Sequence, residues 1–158
     1  MMNFNVSIST RDSRVGKLAA NAVREASGGF PGVRAMAFPH EGNVEVACNV
    51  EAVVLAAGMA VPMGMTALEG GGGGSGGDGG TESGHIKSGC LYHATPEAIR
   101  EKISLFLQKY NEENSSDLRV LDKSTIIGFT PSQMVNVLRE AIELEDPLFY
   151  LRQTRRMM

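Results

Sequence analysis

Gly28-Gly-Phe-Pro-Gly-Val-Arg-Ala-Met-Ala-Phe-Pro-His-Glu-Gly-Asn-Val-Glu-Val-Ala-Cys-Asn-Val50 reads as strand, tight reversal, strand. From Val33 to Phe38 and from Val44 to Val50, small and β-branched apolar residues alternate with others, the period-2 mark of a strand. Between them Pro39-His-Glu-Gly-Asn43 holds the residue types that supply fixed and positive φ values. Upstream, Gly28-Gly29 is placed to cap a helix, and Pro31-Gly32 turns the chain into the first strand. The stretch is therefore a hairpin fed by a helix.

That helix and the strand before it are legible next. Phe4, Val6 and Ile8 alternate with Asn5, Ser7 and Ser9, a strand apolar on one face. Thr10-Arg-Asp12 offers N-cap candidates, and Val15, Leu18, Ala19, Ala22, Val23 and Ala26 follow at helical spacing. By residue 50 the order is βαββ. Beyond the hairpin, Ala52 to Leu68 carries no charge yet is interrupted by Gly58, Pro62 and Gly64. It is shorter than the ~20 residues a membrane span needs, so it reads as a packed helix or as an insert without fixed structure. Ten of the 19 glycines then fall between Gly70 and Gly84. Such a tract buries too little apolar surface to offset its ordering entropy, so residues 52–89 are expected to form an inserted loop, disordered from 69. A phosphate-cradling loop would need a strand before it and a helix with Lys-Ser/Thr after it, and neither is in register.

Regular structure is expected to resume at Thr95-Pro-Glu97, an N-cap followed by proline at the first helical position. Ile99, Ile103, Phe106, Leu107 and Tyr110 share a face. Leu118-Arg-Val-Leu121 and Ser124-Thr-Ile-Ile-Gly-Phe-Thr130 are strand candidates, and Thr130-Pro-Ser-Gln133 opens a last helix with a capping box. Its stripe is Met134, Val137, Leu138, Ala141 and Ile142, with Leu138 central and expected to be buried. The predicted class is α+β: a single domain over 1–158, a ferredoxin-like βαββαβ sandwich with a trailing C-terminal helix and a long Gly-rich insertion.

Composition narrows the function classes. A net charge of −3 and a pI near 5.6 lack the basic surplus of a nucleic-acid footprint. Cys48, Cys90 and three scattered histidines make no metal constellation, and two separated thiols suit a reducing, cytoplasmic setting. The sequence goes straight into strand alternation without the pattern of a signal peptide, and no membrane partner is expected.

The hairpin wording Gly29-Phe-Pro-Gly-Val-Arg-Ala-Met-Ala-Phe-Pro-His-Glu41 with Val46-Ala-Cys-Asn49 resembles the C-terminal subdomain of glutamate formiminotransferases, plant and algal relatives above all. Phe4-Asn-Val-Ser-Ile8 and Ile126-Ile-Gly-Phe-Thr-Pro131 are similar to the family's first strand and its last strand-to-helix motif. The likeness covers about two thirds of the chain and leaves out residues 52–89. It implies two subdomains facing each other across a folate tunnel, and transfer of a formimino group from formiminoglutamate to tetrahydrofolate. The family's catalytic histidine belongs to the N-terminal subdomain, and neither it nor the folate-contacting loop before the first strand has a counterpart here.

The resemblance therefore implies a folate-binding half, inactive alone, whose partner is a separate N-terminal subdomain or a second copy. Val33 stands at the family's folate-contacting position. Arg34 and Phe38 join it on chemistry: a guanidinium for glutamate carboxylates and an aromatic ring for the pterin or aminobenzoate. Surface charge and core packing are the ordinary roles of those two residues. No residue is assigned to catalysis or to a metal. His40, at the hairpin tip, titrates in the right range for proton transfer but reads as a solvated turn residue. Two other classes stay open: a non-catalytic module that self-associates through its sheet, and a stand-alone small-molecule sensor.

Overall fold

The computed structural model describes residues 2–58, 60–68, 86, 89–121, 125–127 and 131–143. The glycine tract and the C-terminal tail lie outside the described residues. The architecture is mixed α+β, with two antiparallel sheets.

The opening segment forms as its alternation dictates. Strand β1 (Met2–Ile8) buries Met2, Phe4, Val6 and Ile8 on one face. Helix α1 (Ser13–Val23) starts at Asp12, whose carboxylate accepts from the Arg14 N–H at 2.9 Å. Its buried face, however, is Val15, Gly16, Ala19, Ala20 and Val23, whereas Leu18 is 46% exposed and Ala26 lies beyond the helix, exposed. Close approach to the hairpin explains the rotation: the helix turns its smallest residues toward the sheet, leaving no room for a leucine there. The helix also ends earlier than its glycines suggest. Arg24 leaves helical geometry, Glu25–Ser27 make one 3₁₀ turn, and Gly28 at φ 82° caps that turn.

Strands β2 (Val33–His40) and β3 (Asn43–Val50) pair from Val33↔Val50 to His40↔Asn43, so only Glu41 and Gly42 form the turn. Both have positive φ, 46° and 79°, the conformation of a two-residue hairpin turn that matches strand twist. Pro39, expected in the reversal, is inside β2 opposite Val44. That is tolerable because β2 is the edge of its sheet, where a missing N–H breaks no ladder bond. Glu41 is the misfit, since left-handed backbone suits asparagine or glycine. Glu41→Asn is expected to raise stability by roughly 0.5–1 kcal/mol, part of the roughly 1–2 kcal/mol this conformation costs a residue with a Cβ. A higher urea midpoint at unchanged slope checks it; a lower midpoint would mean that the Glu41 side chain outweighs the strain.

The four-stranded sheet has the order β2-β3-β1-β7, every neighbouring pair antiparallel, with β7 (Thr125–Ile127) paired to Asn3–Asn5 of β1. The other strand candidate, 118–121, docks on the same edge. Val120 bridges Ile8, and the Leu121 N–H donates to the Ser7 carbonyl at 2.8 Å. The two candidates thus follow one another along β1.

Residues 52–68 are neither a helix nor an unstructured insert where they are described. Strands β4 (Val53–Val54) and β5 (Met65–Ala67) flank β6 (Leu91–Ala94) in a second, three-stranded sheet. Sequence alternation missed it because two- and three-residue strands are too short to show a period. Met65, Ile86, Tyr92 and Ala94 join the main core. Helix α2 (Pro96–Asn114) is capped by Thr95, which accepts from the Ala98 N–H at 3.2 Å. It buries Ile99, Ile103 and Leu107 beside α1. Helix α3 (Pro131–Glu143) forms as expected, but Leu138 is half exposed and Ile142 is 76% exposed. The expected burial of Leu138 is therefore corrected. Periodicity locates an apolar stripe but not how much of it a neighbour covers.

Candidate functional site

Hairpin register decides which side chains can meet a ligand. Opposite-strand partners share a face, so Val33, Ala35, Ala37, Val44, Val46, Cys48 and Val50 point one way. That face is the one α1 covers: a Cβ built on Gly16 would overlap Val44 Cγ1 and sit 3.0 Å from Ala37 Cβ. The opposite face carries Arg34, Met36, Phe38 and His40 from β2, with Asn43, Glu45, Ala47 and Asn49 from β3 and Asn3, Asn5 and Ser7 from β1.

The three residues nominated for folate are therefore split. Val33 is fully buried on the helix side, and its N–H donates to the Phe30 carbonyl at 3.2 Å. Its side chain is a core residue. Arg34 and Phe38 stand on the other face, four residues apart on one strand, about 13 Å at ~3.3 Å per residue. The Arg34 guanidinium is exposed and holds the Glu51 carboxylate, with Nη2 3.2 Å from both oxygens. Phe38 is half-buried opposite Glu45, its ring edge-on to the His40 ring with centroids 6.3 Å apart. Between Arg34 and Phe38, Met36 is 66% exposed. Guanidinium, thioether and aromatic ring thus follow one another along the exposed edge.

Two side chains on this face were not legible beforehand. Glu45 is buried, and its Oε1 accepts from Asn5 Nδ2 at 2.6 Å. Glu51 occupies the guanidinium that a ligand carboxylate would seek. The polar slot between Val44 and Val46 did mark Glu45 as pointing away from the core, but its link to Asn5, forty residues away, depends on register that no local pattern contains.

His40 lies in the exposed hairpin end, its Nε2 4.0 Å from Glu41 Oε1. The Cys48 thiol is pushed up to about 12 by burial, which leaves it protonated and unreactive at neutral pH. Among the described residues no group of His, Cys, Asp and Glu is arranged to hold a metal. A groove of about 290 Å³ between α2 and residues 118–120 is lined by Arg100, Ser104, Gln108, Asn111 and Arg119 among others, and none of the nominated residues reaches it. Among the described residues no helix is long and apolar enough to cross a membrane.

The chain matches no family model, no curated protein and no solved structure.

Proposed function

We propose that this chain is one wall of a folate site: a ferredoxin-like half of a formiminotransferase that binds tetrahydrofolate weakly and is inactive alone. Sheet order β2-β3-β1-β7 with all-antiparallel neighbours fits the split βαβ pattern, β7 taking the place of the fourth strand. The observation that carries the functional reading is the row Arg34, Met36, Phe38 along the face opposite α1. An extended ligand with an aromatic end and a carboxylate end can lie along it, ring on Phe38 and carboxylate toward Arg34. Val33 contributes by packing beneath the strand. Formiminoglutamate would enter from a facing subdomain, separate or supplied by a second copy, in the cytoplasm, where two unpaired thiols stay reduced.

Calorimetric titration with tetrahydrofolate tests this. Loose binding is expected, because one wall of a two-walled site leaves most of the ligand solvated. Phe38→Ala should weaken it, and Arg34→Ala should weaken it less, because Glu51 already competes for the guanidinium. No turnover of formiminoglutamate is expected, since general acid-base help is worth roughly 10²–10⁴-fold and no nominated residue supplies it. Turnover lost in His40→Ala would instead make His40 the missing catalyst. Binding unchanged by Phe38→Ala would remove the site from this face.

A second reading has its own observation. Strand β2 is an eight-residue edge beside an exposed methionine, and unpaired edges invite strand pairing. A non-catalytic module that self-associates through this sheet would sediment as a dimer and show no affinity for folate.

A further inference from the structure

Strand β2 ends its sheet, and the direction of each of its backbone groups follows from the hairpin register. With only Glu41 and Gly42 in the turn, His40 and Asn43 exchange backbone bonds, and the exchange recurs at every second residue back to Arg34. The Glu51 N–H donates to the Gly32 carbonyl at 2.9 Å, which fixes the same phase at the far end. The backbone groups of Val33, Ala35, Ala37 and Pro39 therefore point away from β3, and among the described residues no strand lies beyond them. Neither end of this row can donate outward. The Val33 N–H is spent on the Phe30 carbonyl at 3.2 Å, and Pro39 has no N–H. Ala35 and Ala37 remain as complete donor–acceptor residues, one on each side of Met36.

The side chains on the face opposite α1 repeat that symmetry, with a guanidinium at Arg34 and a ring at Phe38 on either side of the exposed Met36 thioether. We propose that β2 pairs antiparallel with β2 of a second copy of this chain, about a twofold axis through Met36, so that two sheets become one. In this register Ala35 exchanges both backbone bonds with Ala37 of the second copy, and Ala37 with its Ala35. Val33 meets Pro39, so a spent donor lies opposite a missing one and no N–H is orphaned. Met36 faces its own copy as a non-hydrogen-bonded pair, with Cα atoms about 4.5 Å apart. Arg34 lies beside Phe38 of the second copy, where the guanidinium can rest on the ring while still holding Glu51. Sliding the copies by two residues keeps the same number of backbone bonds but loses these contacts. One direction sets Phe38 opposite Gly32, and the other sets Arg34 opposite His40. A foreign strand could match the backbone, but the order cation, thioether, ring is complementary to its own reverse, which selects a second copy. This pairing rests on the self-association reading, leaves the folate reading aside, and adds the strand and the register.

Sedimentation velocity of the full chain over roughly 10–500 µM should show a dimer that dissociates on dilution, because a single strand pair buries less than most stable interfaces do. Met36→Lys, at a side chain already 66% exposed, sets like charges opposite each other across the axis and should weaken the dimer at least about tenfold while the monomer stays folded. Cross-linking reads the register. In a Cys90→Ser background, where the remaining Cys48 is buried, Met36→Cys treated with oxidised glutathione should form a disulfide-linked dimer. Arg34→Cys should not, because the register holds it more than about 13 Å from its own copy. A dimer that ignores Met36→Lys and does not cross-link in Met36→Cys would overturn pairing through β2 and leave self-association by another part of the sheet standing. Cross-linking in Arg34→Cys but not in Met36→Cys would overturn the register. A monomer throughout the range would overturn both this pairing and the self-association reading.

Discussion

Gly16→Leu is expected to lower the thermal midpoint by roughly 6–12 °C, the upper end of what overpacking a core position does in a domain of this size. The helix crosses the hairpin at Gly16, where an added Cβ would overlap Val44 Cγ1 and press on Ala37 Cβ. Val44 is fully buried and paired to both Ile8 and Pro39, so it has nowhere to retreat. Overpacking a core position costs about 1–3 kcal/mol, occasionally more, and a leucine here adds four carbons. For a domain of this size each kcal/mol moves the midpoint by roughly 2–4 °C. The milder Gly16→Ala sharpens the test. Helix propensity alone favours alanine by about 0.8–1.0 kcal/mol, so a rise in midpoint would mean the helix shifts outward cheaply. A fall would show that contact with the sheet outweighs propensity.

Gly16 also shows where the sequence stops being legible. The apolar spacing around it correctly announces a helix, but it favours Leu18 as the inward residue over the smaller side chains. How closely two elements approach is a property of the pair, and a single helix does not record it. The hairpin was readable for the opposite reason. Its alternation and its Gly42 concern neighbours in sequence, and they locate the two strands, although Pro39, His40 and Asn43 belong to β2 and β3 and not to the reversal. The second sheet was invisible because β4, β5 and β6 are two to four residues long and stabilised by partners far along the chain.

The candidate site divides along the same line. Strand periodicity puts Arg34 and Phe38 on one face and requires Val33, an odd number of residues from each, to take the other. That much followed from the alternation, and nominating all three together set the family likeness above it. Which face carries helix α1, and that Glu51 holds Arg34, needed the assembled sheet.

Ile103→Ala is expected to cost about 2–5 kcal/mol, the range for truncating a large aliphatic side chain in a packed core. Ile103 is fully buried at the middle of α2, one turn from both Ile99 and Leu107, and all three belong to the core that β1, α1 and the hairpin share. Alanine there removes apolar contact within that shared core and leaves a void beside α1. The companion is Leu105→Ala on the same helix. Leu105 is 58% exposed, and at ~25 cal/mol per Å² the little apolar area it loses on folding limits its cost to under about 1 kcal/mol. Intrinsic helix propensity favours Ile103→Ala over Leu105→Ala by only about a few tenths of a kcal/mol, so the difference between them chiefly reports burial. Chemical denaturation of the two variants beside the parent measures that difference directly. A gap of less than about 1 kcal/mol would mean that α2 does not anchor the core through the face bearing Ile99, Ile103 and Leu107. A gap of about 2 kcal/mol or more establishes that α2 anchors the shared core through that face.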